Sequence, residues 1–94
     1  MEEISKLQRF RRAHPLDISE VPDGYMVTVQ KTGRVHYLNL VAAIIFELCD
    51  EMHAASEMAE LLKREFALDS VPHAQVASCL ATLVSEGLVA PCPA

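Results

Sequence analysis

Between residues 16 and 38 apolar side chains alternate with polar ones, and from residue 40 onward they recur at three- and four-residue intervals. The first period belongs to strands and the second to helices. Leu16, Ile18 and Val21 open a strand, and Pro22-Asp23-Gly24 has turn chemistry. Tyr25, Val27 and Val29 then alternate with Met26, Thr28 and Gln30, as in a half-buried strand. Lys31-Thr32-Gly33 reads as a three-residue hairpin loop with glycine at its left-handed position, leading into a third strand from Arg34 to Leu38. The prediction is a three-stranded antiparallel meander.

Asn39 is a good N-cap, worth ~1 kcal/mol through its side-chain oxygen. Leu40 to Cys49 follows as a helix apolar nearly all round, with Glu47 its only charge, so it is expected to be central. A second helix, about Ala55 to Glu65, places Met58, Leu61, Leu62 and Phe66 on one face. Asp69-Ser70 reads as the cap of a third helix, with Pro72 in its first turn and Gly87 as its stop. Val76, Leu80, Leu83 and Gly87 form its core-facing stripe, and Gln75, Ser78, Cys79 and Thr82 lie on a neighbouring, uncharged one.

Residues 1–15 read as an N-terminal arm, 16–89 as one domain and 90–94 as a tail. In the arm, Ile4, Leu7 and Phe10 are three apart, and Lys6, Arg9, Arg11 and Arg12 supply four of the chain's eight basic residues. A loosely docked arm with a solvated basic face is expected, or a dock for an acidic partner. The fold class is α+β: a three-stranded antiparallel sheet followed by three helices, of winged helix-turn-helix type.

Ninety-four residues make a single domain, one that buries roughly 60–65% of its unfolded surface. The three cysteines, Cys49, Cys79 and Cys92, form no C-x-x-C pair, and the start of the chain has no export-signal pattern. The longest apolar run, Leu40 to Phe46, is too short for a bilayer. These features predict a cytoplasmic domain without a membrane segment.

Catalytic patterns are missing. There is no glycine-rich phosphate loop, and His14, His36, His53 and His73 are scattered. Cys49 and His53 would share a helix face only if helix ran through Asp50-Glu51-Met52, and two ligands do not make a zinc site. The adjacent carboxylates Glu2-Glu3 and Asp50-Glu51 read as solvated termini and caps. Cys79 has no histidine at helical spacing. No enzyme activity, metal or cofactor is expected. A winged-helix DNA-binding regulator is the alternative, and the charge argues against it. Net charge is −5, and no Lys or Arg follows Arg64, whereas such readers make about 6–10 phosphate contacts.

The run DGYMVTVQKTGRVHYLNLVAAIIFELCDE resembles the family of the pyrroloquinoline-quinone biosynthesis protein D, through Gly33, Val35, Leu38-Asn39, Ala42 or Ala43, Ile45, Leu48 and Asp50. EMAELLKREF resembles its second helix and VASCLATLVSEGLV its third, so the likeness spans about Leu16 to Val89. Departures are Glu51 for a glycine, Ala54 for a threonine cap (leaving Ser56 as the local cap), Gln75 for an acidic residue and Cys79 for a bulky one. The resemblance implies a non-catalytic peptide chaperone. Such a domain binds the leader of a ribosomally made precursor peptide by strand addition and presents it to a modifying enzyme, often a radical-SAM enzyme. The implied cleft lies between the third strand (Arg34, Val35, His36, Tyr37, Leu38) and the third helix (Gln75, Ser78, Cys79, Thr82). No nucleic acid, membrane or cofactor is implied as a partner, and the oligomeric state is left open.

Overall fold

The computed structural model describes residues 4–93; Glu2 and Glu3 lie outside them. The elements are β1 (Arg9–Arg12), β2 (Leu16–Val21), β3 (Gly24–Val29), β4 (Arg34–Asn39), α1 (Leu40–Glu47), β5 (Asp50–Ala54), α2 (Ala55–Glu65), α3 (His73–Ser85) and β6 (Val89–Pro91). The predicted meander is present as an antiparallel sheet in the order β2-β3-β4. The α+β class holds, with a second three-stranded sheet, β5-β1-β6, added to it.

Two glycines shape the meander. Gly24 starts β3 opposite Asn39 with φ 152°, and a Cβ there would collide with the carbonyl oxygen of Leu38. The β3–β4 loop holds four residues rather than three, because Val29 pairs directly with Arg34. Its carbonyl accepts from both Thr32 N (3.2 Å) and Gly33 N (2.8 Å), which winds the loop into a helical turn. Gly33, at φ 72°, unwinds it into β4.

Asn39 caps α1 as expected, its side chain accepting from Ala42 N at 2.9 Å. The helix ends at Glu47, short of the predicted Cys49, and the chain extends into β5. Asp50 is the cause. Its carboxylate accepts from Met52 N (2.9 Å) and His53 N (3.1 Å), an alternative to helix for the backbone. Burial acts to raise the Asp50 carboxyl, but those amides and the His53 ring outweigh it and hold it below the usual range. Cys49 and His53 therefore share no helix face, and His53 Nδ1 lies 2.9 Å from Asp50 instead. Among the described residues no three His, Cys, Asp or Glu side chains converge as for a metal.

The basic N-terminal segment differs most from expectation. Residues 9–12 are not a loosely docked arm but the middle strand of the second sheet, with Phe10 fully buried. Arg12 reaches the end of α1, donating to Glu47 O (2.7 Å) and Phe46 O (3.3 Å), with its guanidinium 5.9 Å from the Phe46 ring centroid. A cation on the free carbonyls of a helix C-terminus is favourably placed. Part of the predicted tail is structural too: Ala90 pairs with Arg11, and Cys92 N donates to Arg9 O at 2.9 Å. Local periodicity could not show this, because β1 is four residues long and its partners lie at positions 50–54 and 89–91.

Helix α2 has the predicted bounds, but its N-cap is Ala54 rather than Ser56. Alanine offers no side-chain acceptor, and Glu57 satisfies Ala54 N from within the first turn at 2.8 Å. Helix α3 begins at His73 after Pro72, so Asp69 and Ser70 lie ahead of it and do not cap it. At its end Gly87 N donates to Val84 O and Leu88 N to Leu83 O, both at 3.0 Å, with Gly87 at φ 76°. This is a Schellman closure. It turns the chain toward β6 and buries Leu88, while Gly87 itself is exposed.

Glu51, which stands where the resembling family has glycine, adopts φ 70°. A left-handed non-glycine residue costs roughly 1–2 kcal/mol, part of which glycine returns as backbone entropy. Glu51→Gly is expected to stabilise the protein by up to about 1 kcal/mol, read as a higher urea midpoint at unchanged slope.

Candidate functional site

β4 is an edge strand: it pairs with β3 on one side, and among the described residues no strand pairs with the other. Its side chains alternate. Arg34, His36 and Leu38 share one face, with His36 half-buried and Leu38 buried. Val35 and Tyr37 point the opposite way and are 55% and 54% exposed, with Tyr37 Oη donating to Asp23 O at 3.2 Å. The face that carries His36 and Leu38 is the one that meets the helices.

α3 meets β4 through His36 Nδ1 and Glu86 Oε2, 2.8 Å apart. Glu86 is the C-cap of α3 and keeps helical dihedrals (φ −85°, ψ −1°), so its side chain continues the helical pattern. Counting back at 3.6 residues per turn, Thr82, Cys79 and Gln75 fall near the line of Glu86, and Ser78 lies about 80° to one side of it. Of this line, Glu86 is the residue whose side chain meets β4. Gln75, Ser78 and Thr82 are exposed and Cys79 is half-buried, whereas Val76, Leu80 and Leu83 are buried on the adjoining stripe. Gly87, expected with the latter, belongs to the Schellman turn instead.

At the other end of α3, Gln75 borders an apolar hollow of about 430 Å³, lined also by Val41, Ile45, Leu62, Phe66 and Val76. The hollow lies between α1, α2 and the start of α3, and no residue of β4 lines it. Sequence reasoning missed both Glu86 and this hollow. The spacing of Glu86, four residues after Thr82, was a usable signal. The hollow was not readable, because Val41 and Phe66 look like core residues in any helical pattern.

Burial pushes the Cys79 thiol up, and pushes that of Cys49 to about 12. A nucleophilic cysteine needs its thiolate favoured, which is the reverse.

Three helices beside an antiparallel meander whose last strand has an open edge make this a winged-helix-like α+β domain. The chain matches the family model of Coenzyme PQQ synthesis protein D (PqqD) over residues 24–89, and it belongs to that family. Among solved structures it is similar to a chain described as lasso peptide synthetase B1 complexed with the leader peptide. The TM-score is 0.76 at 20% identity, covering 88% of this chain and 99% of that one, a likeness of fold. No curated protein matches the chain.

The thiol environments are directly checkable. In native protein at pH 8, iodoacetamide is expected to leave Cys49 unmodified and to modify Cys79 more slowly than in urea. Peptide mapping by mass spectrometry reads both.

Proposed function

We propose that this chain is a non-catalytic peptide-binding module. It takes the leader segment of a ribosomally made precursor peptide as an added strand on β4, and it presents the rest to a modifying enzyme. The observation that carries this reading is the open edge of β4, the strand that α3 meets through the His36–Glu86 contact at the end of the stripe Gln75, Ser78, Cys79 and Thr82. Membership of the PqqD family and likeness in fold to a chain solved with a leader peptide support it.

Backbone pairing along an exposed edge gives affinity without demanding sequence. Each added hydrogen bond contributes about 1 kcal/mol, while ordering a disordered peptide costs about 2–5 kcal/mol. Buried side-chain anchors, worth about 1.5–3 kcal/mol each, must therefore supply the margin. In this reading Arg34, Val35, His36, Tyr37 and Leu38 contribute chiefly backbone, and the α3 stripe contributes side-chain contact. α3 carries no Lys or Arg, so nothing on it favours the DNA-binding alternative.

A radical-SAM enzyme is the first maturation partner to test. Lys6, Arg9 and Arg11 are exposed and offer it a basic dock. Deleting residues 1–12 would remove Phe10 from the core, so charge reversal is the cleaner probe. Arg9→Glu with Arg11→Glu is expected to spare leader binding and weaken capture of the enzyme in a pull-down.

Strand addition itself is tested with a fluorescent synthetic leader and anisotropy. N-methylating alternate backbone amides of the peptide should abolish binding for one set of positions and spare the other. Val35→Pro should weaken binding at least tenfold, about 1.4 kcal/mol, and bound peptide should slow alkylation of Cys79. Indifference to both N-methylation and Val35→Pro removes β4 from the site.

A further inference from the structure

We infer that His36 and Glu86 are a positioning pair, a polar tie between the two walls of the cleft, kept for peptide recognition rather than for stability. This rests on the strand-addition reading above. The tie is singular: among the described residues no other hydrogen bond or ion pair joins β4 to α3. It pins α3 to β4 at the helix's C-terminal end, while the Gln75 end opens into the apolar hollow. α3 as a whole is seated by its packing on α1, α2 and β6, so this contact sets only how the C-terminal end of the helix stands against β4.

The state of the histidine points the same way. The His36 side chain is 14% exposed, and its Nε2 is buried with no hydrogen-bond partner. A carboxylate oxygen only accepts, so Nδ1 carries the hydrogen in the contact with Glu86. In the neutral ring that leaves Nε2 as a buried, unpaired acceptor, which destabilises the fold. Fully buried side chains elsewhere in the described chain are apolar. Glu86 is exposed while the His36 ring is mostly buried, so a contact serving only to hold β4 against α3 gives little that an apolar side chain at position 36 would not supply. What apolar replacements could not supply is direction. The bond fixes the ring, and through it the approach of the α3 line to the strand edge.

The test separates stability from recognition. The probe is a peptide recovered by selecting a displayed random-peptide library on the wild-type protein, then synthesised with a fluorophore. Its N-methylation pattern first establishes strand addition. Against this peptide the double variant His36→Leu/Glu86→Leu should lose roughly tenfold in affinity, about what one directional hydrogen bond controls, with a urea midpoint equal to or above that of wild type. Glu86→Gln, which keeps an acceptor for Nδ1–H, should bind within twofold of wild type, and Glu86→Ala should not. Nitrogen-15 spectra should show His36 as the Nδ1–H tautomer in wild type and Glu86→Gln, and lose that preference in Glu86→Ala.

Unchanged peptide affinity in the double variant would overturn the inference while leaving strand addition intact. So would parallel losses of stability and affinity, the signature of a merely structural pair. If the selected peptides show no alternation on N-methylation, the strand-addition reading fails and the inference falls with it.

Discussion

The structure turns on how β4 is held from one side only. Gly24 brings β3 close enough to fix that strand through the Leu38 carbonyl, and Asn39 then caps α1 and takes the chain out of the sheet. α1 then leaves the sheet, and among the described residues no strand covers the second edge. A long open edge is normally a hazard for unwanted pairing. Here it is short, follows a charged Arg34, and is backed by the end of α3.

The rest of the fold supports that arrangement from behind. Helix α1 is not apolar-buried all round as expected: Ala43, Ile45 and Phe46 are buried but Leu40, Val41 and Glu47 are exposed, and the Arg12 guanidinium meets its last carbonyls. That places a basic residue from the chain's beginning against its central helix. β1 also brings the two ends of the chain together, since β6 pairs with it after the Schellman turn at Gly87. The second sheet thus closes the far side of the three helices, fixing where α3 ends and so where Glu86 meets His36. Cleft geometry is consequently tied to residues that never approach the cleft.

Two substitutions relative to the resembling family acquire a physical meaning. Glu51 holds a left-handed backbone that glycine would occupy without cost, so the α1–β5 turn keeps its shape at some strain. Ala54 removes a side-chain cap, and Glu57 answers from the first turn of α2. Neither touches the space between β4 and α3. Gln75 borders the apolar hollow instead, and with Cys79 it leaves the α3 stripe uncharged up to Glu86.

By itself the sequence determined what repeats over short distances. The alternation from Leu16 to Leu38, the Asn39 cap, the limits of α2 and the glycine at 87 each follow from interactions within a few residues, and each appears in the structure. The uncharged stripe of α3 was legible for the same reason, as a matter of helical spacing. Only the tertiary structure decided what α3 faces, because burial of Val76, Leu80 and Leu83 and the packing of α3 on α1, α2 and β6 fix its rotation. It also decided that an arginine-rich arm is a core strand. β1 is too short to announce itself, and its pairing with β5 and β6 bridges some forty and eighty positions of sequence, over which no local pattern carries information.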